Sequence, residues 1–582
     1  MQRVSDASPV RLLWLLAGGV AAAAPPASAY PASAYPASAY PASANPAPPT
    51  PGAPAGLPAP IPAWLAACQR LLADSTEVIS SMRTAGQADP PTLQAAALVG
   101  AATRGPPGAG LNAPSRASPG ESLGASAGAS AGESARAPTD PEVVLCLDRA
   151  LAWADERVPA SAMRWYLCCR DGKPLAVNDN PLLEAITAGK GIALVLWQAD
   201  QPGQRWRRVR RLHIPAPARH GQAIGQLPAA LARLLRQACI DHRLGVRQAL
   251  HPRLAAHLPL QAPRRAPGLP TLWLHRLQGQ WRFWLDRQRA RWLREQWFIG
   301  VIDAPIGQLL SADCQPAVHW LDNPDSGGYW ADPMAAAGDE RRLYCEYFDE
   351  RAGIGRVERL DLDASGRVNQ RVTLAVGGGT HTSFPLMVEI NGQRLGLAET
   401  GARRECVLHE IDADGQWQPL ATLVSDVAVA DPALFFWEQR YWLALTDMDL
   451  GASDNLCLYH ADHLLGPWTP HANNPVKVDV TSARMAGGFF WHQGRLYRPA
   501  QDCLAGYGAG VVLMQVLRCT PTEFEEVPVR QLRPDAHSAC PHGIHTVSAW
   551  GQRTLIDGKR RGFSLAASWR KLRRRLRSEV AR

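Results

Sequence analysis

The sequence is short of the marks that announce cofactor, metal or membrane chemistry. Across 582 residues there is no Gly-x-Gly-x-x-Gly run and no Walker loop, so nothing in it calls for a nucleotide cofactor. The 12 cysteines include no Cys-x-x-Cys pair and no Cys/His spacing of a zinc site, which removes the usual structural metal centres. Nor do they form the dense framework of a disulfide-stapled domain; they read as buried thiols in a reducing compartment. No apolar run reaches the roughly 20 residues that a membrane-spanning helix needs. Basic runs occur, but no nucleic-acid-binding motif accompanies them. The expectation is a chain with no cofactor, no metal and no nucleic-acid partner.

What is present is unevenly distributed. The net charge of +9 gathers at Arg205 to Arg211, Arg282 to Arg294 and Arg570 to Arg577. Such runs are most simply solvated faces, though residues 568–577 have the makings of a short amphipathic helix on anionic lipid, a peripheral membrane contact through the basic tail 568–582. Near the start, the apolar stretch from Arg11 to Val20 is either a first β-strand or the core of an export signal ending at Ala27-Ser28-Ala29. The helix-like Ala63 to Leu72 that follows favours the strand and a cytoplasmic protein; export of a chain whose residues 1–29 are a signal is the alternative. Between them Pro26-Ala27-Ser28-Ala29-Tyr30 recurs at 31–35 and 36–40. This tract within residues 1–58 cannot bury a core and reads as extended and mobile, a product of replication slippage.

Residues 59–295 read as an α/β domain, broken by a Gly/Ala/Ser/Pro-rich linker at 104–140. Val143 to Leu147, Trp165 to Cys169 and Ile192 to Trp197 have the apolar content of buried strands. Leu182 to Ala188 reads as a short helix. Over 226–243, Leu227, Leu231, Leu234, Leu235 and Cys239 share one helical face.

From residue 296 to 567 the chain repeats itself about every fifty residues. Asp332-Pro333, Phe384-Pro385, Asp431-Pro432, Gly487-Gly488 and His542-Gly543 each open an apolar strand. A polar turn (Gly392-Gln393, Glu438-Gln439, Gln493-Gly494 or Trp550-Gly551 in the last four) leads to a second apolar strand. A strand-turn-strand unit at this period is the signature of a propeller, whose blades bury their faces only by stacking. Five units predict a five-bladed β-propeller after the α/β domain. Trp297 to Ile302 is placed to complete the last blade.

A propeller brings the start of each inner strand to one axis, and the candidate residues follow. Asp332, Glu399 and Asp431 are candidate catalytic carboxylates, with Glu346 behind them; two or three carboxylates around one pocket can hydrolyse a glycosidic bond if one is ionised and another keeps its proton. The plainer alternative is that Asp-Pro caps a turn and Glu399 pairs with Arg403 or Arg404. Arg484, Arg498, Gln501, Asp502, Tyr507 and His545 are candidate substrate-binding groups, the arginines as forked donors to sugar hydroxyls or phosphate. Trp330, Trp442 and Trp468 are candidates for stacking on sugar faces. His381 and His545 read as satisfied polar residues more than as metal ligands.

Several of these segments also resemble a known family. Tyr329 to Pro333, Ser383-Phe384-Pro385, Leu397 to Thr400, Ala461 to Val476 and Arg495 to Cys503 with Tyr507-Gly508 are similar to the N-terminal domain of plant glucosamine inositolphosphorylceramide transferase and its stand-alone bacterial relatives. The resemblance covers about residues 296–560. More distantly, the Asp-Pro and Gly-Pro-Trp elements resemble the arabinanase/levansucrase/invertase superfamily of five-bladed propellers. The resemblance implies a propeller and a glycan or sugar-phosphate ligand. In the plant protein glycosyl transfer belongs to a separate C-terminal domain, which the basic tail leaves no room for here. In the hydrolases carboxylates open the first and second blades; Asp332 matches the first, while Phe384 stands at the second. The sequence therefore leads to a carbohydrate-active protein binding or processing a glycan or sugar-phosphate conjugate in a central pocket, or to a non-catalytic propeller of surface-polysaccharide biosynthesis.

Overall fold

The computed structural model describes residues 10–16, 68, 78–84, 143–146, 161–169, 191–199, 201, 206–215, 220–243 and 269–563, save 312, 315, 325, 326 and 336–338. The Pro/Ala-rich tract, the linker at 104–140, the helix expected at 182–188, most of Ala63 to Leu72 and the basic tail lie outside the described residues. The chain is mostly β.

Ahead of the repeats stands one six-stranded sheet, ordered Val78–Thr84, Val10–Leu16, Val143–Cys146, Met163–Cys169, Ile192–Ala199, Arg207–Ile214. The first four strands run parallel to one another, and the fourth pairs with the fifth, and the fifth with the sixth, antiparallel. Val10–Leu16, the segment read as strand or signal, is thus hydrogen-bonded on both edges. Helix α1 (His220–Arg243) covers the sheet with the face foreseen from its leucines. The last strand and α1 dock onto the repeat region through the ion pair of Arg233 Nη2 with Asp454 at 2.8 Å and the contact of His213 Nδ1 with Asp479 at 3.1 Å. Helix α2 (Leu269–Trp292) then leads directly into the strand Leu293–Ile302.

The repeats form five antiparallel sheets in succession. Their leading hairpins are Gly328–Ala335 with Arg342–Asp349, Ser383–Ile390 with Gln393–Glu399, Val429–Trp437 with Arg440–Asp447, Phe490–His492 with Arg495–Asp502, and Val547–Trp550 with Arg553–Phe563. Two residues separate the strands in each of the last four. Asn391-Gly392, Glu438-Gln439 and Gln493-Gly494 have positive φ at both positions, the mirror-image turn whose twist matches that of paired strands. The turns anticipated from sequence fall within a residue of these.

The fifth sheet joins the two ends of the region. Leu293–Ile302 pairs along its whole length with Arg553–Phe563, as expected for Trp297 to Ile302. The first sheet packs on the second, the second on the third, and the fifth back on the first. The third meets the fourth through stacked rings, Phe435 on Phe489 with centroids 3.9 Å apart and Trp437 on Trp491 at 5.6 Å. The fourth meets the fifth where the Val547 amide donates to the Ala486 carbonyl at 2.7 Å.

Gly487 lies at that last junction with φ 145°, and a Cβ there would run into the Val547 carbonyl. Gly487→Ala is therefore expected to destabilise the fold by about 2–3 kcal/mol through backbone strain and overpacking, read as a lowered urea midpoint with unchanged slope. No disulfide joins the eleven cysteines whose side chains are described, and all but Cys314 are buried.

Candidate functional site

One local device recurs around the centre of the five sheets. Asp332, Phe384 and Asp431 have φ of 49°, 49° and 48°, and proline follows each. In each case the strand slips register against its hairpin partner, between Ala331 and Met334, Ser383 and Leu386, and Ala430 and Ala433. Proline keeps the preceding residue out of the right-handed helical region, and the extra residue of a bulge takes the left-handed one instead. Non-glycine residues in that region cost on the order of 1–3 kcal/mol, so the surroundings must hold them.

The holding is done by carboxylates. The Asp332 amide donates to Asp557 Oδ2 at 3.3 Å, the Phe384 amide to Asp332 Oδ2 at 3.2 Å, and the Asp431 amide to Glu399 Oε2 at 3.3 Å. Each bond runs from one sheet to the sheet before it. The fourth sheet completes the series with Arg484, whose Nε and Nη2 grip Asp431 at 2.6 and 3.1 Å, and Gln501, which donates to the same carboxylate at 2.9 Å.

Two of these acceptors, Glu399 and Asp557, also share a repeat position with Glu346, Thr446 and Gln501. Glu346 faces Ala331, Glu399 faces Ser383 and Thr446 faces Ala430 across their hairpins. Gln501 and Asp557 donate their amides to the Arg484 and Thr546 carbonyls in the same relation. One position on the second strand of every hairpin thus supplies a polar side chain to the centre.

Five buried carboxyl groups, Asp332, Glu346, Glu399, Asp431 and Asp557, meet two buried cationic side chains, Arg484 and His545. His545 Nε2 lies 3.1 Å from Asp332 Oδ1, and its Nδ1 lies 2.6 Å from Asp557 Oδ2, close but poorly directed for a hydrogen bond. Burial alone would lower the imidazole; the Asp557 and Asp332 carboxylates overcome it and raise the group to about 10. Burial likewise acts to raise Asp332, but His545 and the 2.7 Å hydrogen bond from Thr546 Oγ1 bring it below the ordinary carboxylate range. Glu346 goes the other way. Burial pushes it well up, and the negative charges of Asp332 and Glu399 add to the push. Asp431 rises to about 7, through burial first and Glu399 second, with Arg484 pulling against them.

Aromatic rings close over this cluster. Tyr507, 45 % exposed, stands edge-on to His545 with centroids 5.1 Å apart and over the Arg484 guanidinium at 5.3 Å. Trp297 lies beneath, 4.0 Å from the His545 ring. Asp332, His545 and Asp557 also offer ligand atoms within 4.8 Å of one another, so this trio could hold a metal ion once the imidazole gave up its proton.

The sequence expectations sort accordingly. Asp332, Glu399, Asp431, Arg484, Gln501, Tyr507 and His545 are brought together. Arg498 and Asp502 are not. Arg498 is fully buried, with Nε and Nη2 on Glu526 at 2.8 and 2.6 Å and the remaining donors on the Ser482 and Ala483 carbonyls. Asp502 accepts from Gln531 at 2.6 Å. Side chains alternate along a strand, so on Arg495–Asp502 residues 498 and 502 share the face opposite Gln501. Their expected substrate-binding role is therefore replaced by pairing with the outer strand Phe524–Leu532. Glu399 pairs with neither Arg403 nor Arg404, which bind Glu405 and Asp449; its cation is Arg484 at 3.6 Å. Trp330 and Trp442 are core residues, 2 % and 1 % exposed. Asp557 and Trp297 were missed, although the repeat position that yields Glu346 and Glu399 also yields Asp557.

Comparison with known proteins gives this region its relatives. Residues 338–540 match the family model described as glucosamine inositolphosphorylceramide transferase 1, N-terminal, and this part of the chain is related to that domain. The glucosamine inositolphosphorylceramide transferase 1 of Oryza sativa subsp. japonica is 28% identical over 219 residues, covering 35% of this chain and 29% of the relative. That of Arabidopsis thaliana is 27% identical over 211 residues, covering 34% and 27%. The chain thus spans less than a third of the curated relatives it matches. Among solved structures, a GH43 beta-xylosidase/alpha-arabinofuranosidase from a compost microbial metagenome is similar at 12% identity and a TM-score of 0.29, covering 37% of this chain and 80% of its own. A family 117 glycoside hydrolase from Zobellia galactanivorans is similar at 12% and 0.29, covering 42% and 90%. The family match includes Glu346, Glu399, Asp431, Arg484, Gln501 and Tyr507, and leaves out Asp332, His545 and Asp557.

Proposed function

We propose that residues 293–563 are a closed five-bladed β-propeller whose centre binds and processes a glycan or sugar-phosphate conjugate. The observation that carries this reading is the splitting of two carboxyl groups in one buried cluster. Against burial, His545 and Thr546 favour the ionised form of Asp332, while burial and the charges of Asp332 and Glu399 favour the protonated form of Glu346. Groups pushed apart in this way take the two halves of acid–base chemistry at neutral pH. Glu346 donates its proton to a leaving glycosidic oxygen, and Asp332 accepts one from the attacking hydroxyl or water, so the proton count closes. Asp431, expected as a catalytic carboxylate, is gripped by Arg484 and Gln501 and positions them instead. Tyr507, edge-on to His545 at the rim of the cluster and partly exposed, is placed to meet a sugar face. The relation to the transferase N-terminal domain supports a carbohydrate-linked role for this unit without supplying a transferase activity.

A panel of nitrophenyl glycosides and sugar phosphates tests the reading. Glu346→Gln and Asp332→Asn are each expected to lower turnover about 10²–10⁴-fold while ligand binding is kept, and Glu346→Gln to remove the alkaline limb of the pH–rate profile. Turnover unchanged in both variants would end the catalytic assignment. One observation favours a second reading, a non-catalytic glycan-binding propeller. Both Asp332 oxygens already have partners in Thr546, His545 and the Phe384 amide. Saturable binding with no turnover in the unaltered chain would establish it. The chain's cytoplasmic or exported location stays part of the proposal, cytoplasmic being favoured by the reading of Val10–Leu16 as a strand.

A further inference from the structure

Helix α2 carries six exposed large apolar side chains. Trp273, Leu274, Leu277, Trp281, Trp284 and Trp292 are all exposed, with Trp273 at 67% and Trp281 at 62%. At 100° per residue these six positions fall within an arc of about 100°, the width of a stripe that normally faces a core. Trp281 and Trp284 stack on each other with centroids 5.1 Å apart, and Phe563, 67% exposed, extends the stripe by stacking on Trp292. The exposed Arg287 and Arg289 lie on either side of the arc. The helix sequence carries five arginines, at 276, 282, 287, 289 and 291, against the single acid Asp286.

We propose that α2 is a membrane-surface helix that lays this tryptophan stripe into an anionic bilayer. A helix of 24 residues is about 36 Å long, and no helix among the described residues is long and apolar enough to cross a membrane. It therefore lies on the surface. Tryptophan is the side chain best suited to the headgroup boundary, being apolar in body with a polar N–H. Charge selects this occupant over a second copy of the chain. Two such helices face to face would bring like charges together, whereas each arginine near an anionic surface gains attraction. The low-complexity segments 1–58 and 104–140, dominated by Pro, Ala, Gly and Ser, and the basic tail are no better cover. This contact is separate from the one expected of residues 568–582. It stands on the helix alone and does not depend on the glycan reading.

The full chain is to be sedimented with phosphatidylcholine vesicles, with and without about one third phosphatidylglycerol. Binding is expected to be about tenfold or more tighter on the anionic vesicles and to fall about tenfold or more when Trp281→Ala and Trp284→Ala are combined. Brominated acyl chains should quench the tryptophan fluorescence of the unaltered protein, a readout that needs no variant. Absence of binding to anionic vesicles overturns the proposal. So does binding that survives the paired substitution but disappears when residues 568–582 are removed, since that assigns the contact to the tail. A monomer–dimer equilibrium abolished by the same substitutions overturns it in favour of a protein partner.

Discussion

Replacing Arg498 by methionine is expected to destabilise the protein by about 3 kcal/mol and to leave sugar binding in the folded fraction unchanged. The arginine is fully buried and makes two bonds to Glu526 and two to carbonyls. Deleting one partner of such a pair leaves the other charge without compensation, which typically costs about 3–5 kcal/mol. Lys477, 2.6 Å from Glu526 Oε1, remains to offset part of that charge, which sets the effect at the lower end. Arg498→Lys keeps a charge but loses the fork, so an intermediate loss is expected. Urea denaturation of the three proteins measures the order. A variant of full stability with weakened sugar affinity would put Arg498 back among the ligand contacts.

The second large effect concerns His545 and has a defined pH dependence. The folded imidazole titrates at about 10, against about 6.5 for an unperturbed histidine. Below about pH 6.5 both folded and unfolded chains hold this proton, and its stabilisation is complete. As pH rises further the unfolded chain loses the proton first, so stability falls until the folded imidazole also titrates near pH 10. His545→Phe is expected to cost about 3–5 kcal/mol at neutral pH, because Asp332 and Asp557 are left buried with no cation between them. It should also flatten the decline between pH 6.5 and 10. Unfolding free energies measured across that range in both proteins give the comparison. Equal slopes would mean that His545 is neutral in the fold.

The repeats were legible because local chemistry wrote them. Asn391-Gly392 and Gln493-Gly494 carry residues suited to positive φ, the flanking segments are apolar, and the unit recurs. The Asp-Pro pairs were legible for the same reason, since proline restricts its neighbour through bonded geometry alone. Within the strand Arg495–Asp502 the period of two already held the answer that Gln501 and Arg498 face opposite ways. A reading based on proximity in sequence grouped them, and the sheet separated them. Trp297 gave no such signal, and Asp557 gave only its repeat position. Their value comes from the fifth sheet, where a strand that precedes the first repeat hydrogen-bonds to one that ends the last.

The sequence by itself determined the hairpins, their turns and the order of the sheets, since all of these follow from interactions within a few dozen residues. Only the tertiary structure decided in which direction each carboxyl group's affinity for a proton shifts. That depends on burial and on charges contributed by sheets hundreds of residues apart, as when His545 and Asp557 converge on Asp332. An electrostatic balance of this kind falls off with distance in space, and distance in sequence carries almost no information about it.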